Sequence, residues 1–104
     1  MKIKIKDIYW TFKLLRDKEY TLAHGKDSAG ITLPLKQEVH LRSPLSLNVI
    51  AHELFHCYVA SCCLSSTDDI GKEAMEEVGA EIIEFHLDDI VKYRDKIYER
   101  LDGR

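Results

Sequence analysis

Residues 48–63 read NVIAHELFHCYVASCC. Two histidines, His52 and His56, stand four apart with Glu53 beside the first, in a run that is otherwise almost entirely apolar. In a helix, positions i and i+4 share a face, so two neighbouring imidazoles can hold one metal ion. Glu53 lies one position round, about 100° away, where it can reach water on that ion rather than the ion itself. Zn²⁺ suits such donors: it lowers the pKa of a bound water towards ~7, and a nearby carboxylate can take the proton as general base. HExxH is a short pattern that also arises by chance on solvated helices, where polar residues surround it. Here VIA precedes it and FHCYVA follows its core, so the sequence favours a zinc site over a hydrogen-bonded pair of core histidines. Two histidines and a glutamate inside a buried helix are costly unless something pairs with them, and a metal ion does.

A catalytic zinc needs a third protein ligand, and KEAMEEVGAEIIEFH (72–86) offers glutamates. On a helical wheel Ala74, Met75, Val78, Ile82 and Phe85 define the apolar face. Glu76 falls nearly opposite and is expected in solvent. Glu77 and Glu81, four apart, flank the apolar face on one side. Glu77 is the expected ligand, and Glu81 the expected carboxylate that orients one histidine.

HELFH followed after 21 residues by EVGAE resembles the gluzincins, zinc metallopeptidases with HExxH on one helix and a glutamate ligand on the next. The ExxA portion is also similar to the ImmA/IrrE-type peptidases of phages and mobile elements. The small size resembles the minigluzincins and small phage-type zincins, in which a short sheet and a few helices make the whole catalytic domain. The likeness covers roughly residues 30–90. It departs from ImmA/IrrE in having Glu81 where that pattern has asparagine, and EIIEFHLDD where an apolar block follows, so it points to the wider gluzincin group. In that fold the strand just before the active-site helix forms the upper rim of the cleft and pairs with an extended substrate; Glu38 to Arg42 matches by position. Gluzincins often stabilise the oxyanion with a Tyr, His or Arg beyond the ligand helix. His86, Tyr93 and His40 are candidates that read equally as structural or exposed residues, and none is assigned.

These side chains need elements to position them. Ile3 and Ile5 alternate with lysines, and Ile8, Trp10, Phe12 and Leu14 alternate again, which predicts two strands, able to pair as a hairpin, over a rival helix at 8–17. HGKDSAG (24–30) reads as a loop, and ITLPLK and EVHLR as short extended segments, with Pro34 requiring an edge or a bulge. Ser43-Pro44 is expected to open a helix running to about Cys63, apolar nearly all round and hence buried on most sides. SSTDDIG follows as a linker. A second helix is expected from near Lys72 towards Asp88, with Ile90–Leu101 continuing it or packing beside it. The expected fold is α+β and zincin-like: a small twisted sheet packed on the HExxH helix with further C-terminal helices, as one domain spanning 1–104.

Composition narrows the function classes. With 45% hydrophobic and 32% charged residues the chain reads as globular, and 104 residues suffice for one modest core. A net charge of −3 offers no footprint for nucleic acid. No apolar run approaches the ~20 residues of a membrane span, and MKIKIKDIYW does not pattern as a signal peptide. Three cysteines, Cys57, Cys62 and Cys63, point to a reducing compartment with free thiols, and Cys63 reads as a small buried hydrophobe although it shares the helical side of His52. The expectation is a cytoplasmic zinc endopeptidase acting on a peptide or protein substrate. The alternative is a weakly active or latent zinc-stabilised regulatory protein, its cleft filled by its own tail or by a second copy.

Overall fold

In the computed structural model the backbone is described for residues 1–63 and 72–102, and side chains for 1–62 and 77–102. Strands β1 (Lys2–Ile5) and β2 (Ile8–Leu15) form the expected antiparallel hairpin, with Ile5 opposite Ile8. Lys6 and Asp7 make its two-residue turn, both at positive φ (49° and 68°), the backbone that fits the right-handed twist of the flanking strands. Period-2 patterning places Ile3, Ile5, Trp10 and Phe12 on one buried face. Strands β3 (Gly30–Leu33) and β4 (Glu38–Arg42) form a second antiparallel pair, and β4 joins β2 in parallel, giving the order β1-β2-β4-β3. Pro34 lies just beyond β3 in the turn to β4, where its missing N–H disturbs no ladder.

The sequence pattern assigns no element between β2 and the 24–30 loop, where the chain forms a helix, α1 (Asp17–His24). Its signals are local. Asp17 and Glu19 lie in the first turn and His24 in the last, the charge bias that suits a helix dipole. Gly25 ends it at φ 84°, its N–H bonded to the Thr21 carbonyl at 2.9 Å. Only Tyr20 is buried, so no apolar stripe announces the helix.

Helix α2 runs Leu47–Cys63; Ser46 accepts the first turn's hydrogen bond from Ile50 N–H, so the helix starts three residues after Pro44 rather than at it. Ile50, Leu54, Cys57 and Tyr58 bury against the sheet and against α3 (Lys72–Asp102), one continuous helix that contributes Ile82, Ile90 and Ile97 to the same core. Trp10 is fully buried and donates its indole N–H to Ser61 Oγ at 3.0 Å, pinning β2 to the end of α2. The architecture is therefore α+β, a four-stranded mixed sheet with three helices. No helix among the described residues is long and apolar enough to cross a membrane. The SSTDDIG segment lies outside the described residues, as do the side chains of Cys63, Ala74, Met75 and Glu76.

Candidate metal centre

Helix α2 is buried or half-buried on most sides but leaves one stripe open. His52 and His56 occupy the stripe that neither the sheet nor α3 covers, and the His52 side chain is 69% exposed. The desolvation cost expected of two histidines in a buried helix therefore does not arise; only Glu53 is buried, at 5% exposure. The i, i+4 geometry brings the two Nε2 atoms to 3.0 Å, with the rings edge to face at 4.7 Å between centroids. Each is the other's only hydrogen-bond partner among the described residues, so with both rings protonated on Nδ1 the two Nε2 lone pairs can turn to one ion. Two imidazole nitrogens at this separation fit two positions of a tetrahedral zinc shell.

The pair faces a cleft. Gly30, Ile31, Thr32 and Pro34 line one side, and His52, Glu53, His56, Val59 and Ala60 the other, around about 400 Å³. An adjoining hollow of about 320 Å³ extends it along α2 to Asn48 and Val49, beneath Ser28 and Ala29. The rim strand is β3, with one edge unpaired among the described residues. Glu38–Arg42, expected as the rim, is β4, held between β2 and β3, so its backbone groups are used inside the sheet. The sequence order was misleading because the chain lays the last strand before α2 inside the sheet and the preceding one at its margin.

Glu53 points into this cleft from below. Its Oε1 accepts a hydrogen bond from Thr32 Oγ1 at 2.8 Å, and its Oε2 lies 4.0 Å from His52 Nε2. Gly30 lets β3 come this close: a Cβ there would sit 2.9 Å from Val49 Cγ1 and 3.0 Å from Glu53 Cγ. Cys57, one turn after Glu53, is fully buried; burial pushes its thiol pKa up and the Glu53 charge adds to this, so it stays protonated and packs as an apolar group. Thr32 and Gly30 were not singled out from the sequence. A period-2 strand pattern does not say which helix its inner face will meet.

Glu77 and Glu81 are both exposed on α3, and among the described residues neither is hydrogen-bonded or ion-paired to the histidines. Nor does a third His, Cys, Asp or Glu gather with His52 and His56 there. Helix α3 does pass beside the motif, since a Cβ at Gly79 would lie 3.6 Å from Phe55 Cζ. The three oxyanion candidates are elsewhere: His86 packs its ring 5.0 Å from that of Tyr58, Tyr93 packs on the core, and His40 lies on the far face of the sheet.

No family model, no curated protein and no solved structure matches this chain.

Proposed function

We propose that the chain is a zinc-dependent metallopeptidase of the gluzincin kind, with His52 and His56 as metal ligands, Glu77 as the third ligand and Glu53 as general base. One observation carries the reading: a buried carboxylate and two exposed imidazoles from consecutive turns of α2 open into the same cleft beneath an unpaired strand edge. Zinc held there would polarise a peptide carbonyl and make water acidic enough to react near neutrality. Glu53 is placed to take the proton: its free oxygen, Oε2, sits 4.0 Å from a ligand nitrogen and does not reach into the ligand position itself. The free edge of β3 offers main-chain hydrogen bonds to an extended peptide, and Ile31, Pro34, Val59 and Ala60 give it an apolar bed. Reaching the metal requires Glu77 to turn towards the histidines when the ion binds.

Glu53→Gln tests this directly. Zinc content and thermal stability should persist while hydrolysis of an unfolded protein substrate falls by ~10²-fold or more. Equal hydrolysis by both forms would refute the general base. The second reading, a zinc-stabilised regulatory protein of low turnover, is favoured by one feature, the few residues that line the cleft. It predicts bound zinc and no hydrolysis by either form.

A further inference from the structure

The cleft holds a residue whose role in the proposed chemistry does not follow from the HExxH motif. A carboxylate has two oxygens, and a general base works only if one of them is presented to the cleft with its lone pair free. Glu53 is buried, so its orientation is set by neighbours rather than by water. The Thr32 hydroxyl donates its single proton to Oε1 at 2.8 Å, and the Glu53 backbone carbonyl, 3.4 Å away, is the longer alternative acceptor. Oε2 is left towards His52 and the cleft, on the side where Gly30 has no side chain; a Cβ at Gly30 would lie 3.3 Å from it. Gly30 and Thr32 are two apart on one strand and so share a face. Strand β3 thus presents a donor for one carboxylate oxygen and empty space for the other. The donor is rigidly mounted: Thr is β-branched and stiff at χ1, and Thr32 is paired to Val39 in the sheet.

We propose that Thr32 is a positioning residue that selects Oε2 of Glu53 as the basic atom; this rests on the peptidase reading. Losing the hydroxyl frees the carboxylate to rotate about its last bond and to pair Oε2 elsewhere. That misorients the base without touching substrate or metal. The expected signature is therefore in kcat and not in KM or zinc content.

The test compares wild type, Thr32→Val, Thr32→Ser and Glu53→Gln as purified zinc-loaded proteins on one unfolded protein substrate, with zinc measured in each. Thr32→Val, close to isosteric, should lower kcat by about 10- to 100-fold, leaving KM within about twofold and zinc unchanged. Thr32→Ser, which restores the hydroxyl, should recover most of that loss. A readout independent of turnover comes from melting the zinc-free proteins. Thr32→Val should lower Tm by a few degrees in the wild-type background and by much less beside Glu53→Ala, where no carboxylate needs the donor. Thr32→Val active as wild type, Thr32→Ser as poor as Thr32→Val, or equal Tm losses in both backgrounds would each overturn the role of Thr32 while a Glu53→Gln defect keeps the peptidase reading. No hydrolysis by wild type overturns both.

Discussion

The chain places two histidine pairs at nearly the same nitrogen–nitrogen distance, 3.0 Å for His52–His56 and 2.8 Å for His24–His40, on opposite faces of one sheet. Their surroundings differ in kind. The second pair is wired. His40 Nε2 donates to Glu38 Oε1 at 2.9 Å, which leaves Nδ1 to accept from His24 Nε2, and Lys13 Nζ adds 3.4 Å from the same Glu38 oxygen. The chain of hydrogen bonds fastens α1 to β4, helped by Arg42, which reaches the Lys26 and Gly25 carbonyls and lies 4.6 Å over the Tyr20 ring. Three of the four ring nitrogens are used within the protein, and Lys36 and Arg42 put positive charge nearby, which disfavours a cation. The cleft pair has no carboxylate hydrogen-bonded to it and no cation beside it among the described contacts: Glu53 Oε2 stops 4.0 Å from His52 Nε2, and the only hydrogen bond of the two rings is to each other. Separation alone does not mark a metal site; what distinguishes one pair from the other is how many lone pairs remain uncommitted.

If that distinction holds, cutting the wired pair should damage the fold and cutting the open pair should not. His40→Ala strands Glu38 and His24, and in urea unfolding with a chelator present it should cost about 1–3 kcal/mol. Under the same conditions His52→Ala, at an exposed position, should stay within about 0.5 kcal/mol of wild type. Equal losses would erase the comparison.

Gly30→Ala comes next, at about 1 kcal/mol or more, because the new Cβ must displace Val49 or Glu53. It should also lower hydrolysis, whereas Ala at the exposed Gly25 C-cap should strain the backbone without touching the cleft. A Gly30→Ala protein as stable as wild type would mean that β3 does not clamp Glu53.

The smallest effect is on pH. Burial, then the His40 charge, then that of Lys36 hold the His24 pKa below its ordinary value near 6.5, so folding favours neutral His24. The stability this gives is present above pH 6.5 and is lost as pH falls from there through the lowered value. Glu38 works alongside: its bond to His40 holds its carboxyl below the usual range, so its own contribution is lost only at more acid pH. Amide exchange in α1 should therefore accelerate relative to β4 between pH 7 and 5, and His24→Gln should flatten that dependence. Uniform acceleration across both elements would contradict the latch.

The comparison also shows what the sequence could carry. HELFH at helical spacing announced the open pair because both histidines sit on one element, four residues apart. The β1–β2 hairpin was equally legible from Ile3, Ile5, Ile8, Trp10 and Phe12, whose alternation is a property of the local chain. His24 and His40 come from different elements sixteen residues apart, and nothing local brings them together. Helix α1 escaped notice because it buries only Tyr20. Thr32 and the edge position of β3 depend on strand order, which a linear pattern does not encode; hence Glu38–Arg42 was expected where Gly30–Leu33 is found. Glu77 marks the limit on the other side, since helical spacing placed it beside the apolar face but did not bring it to the histidines.

Zinc titration of the metal-free protein, followed by stoichiometry after gel filtration, tests the central claim most directly when run on wild type, His52→Gln/His56→Gln and His24→Gln/His40→Gln. One equivalent is expected in wild type, one in the His24/His40 variant and none in the His52/His56 variant. Zinc retained without His52 and His56, or no zinc in wild type, would contradict it.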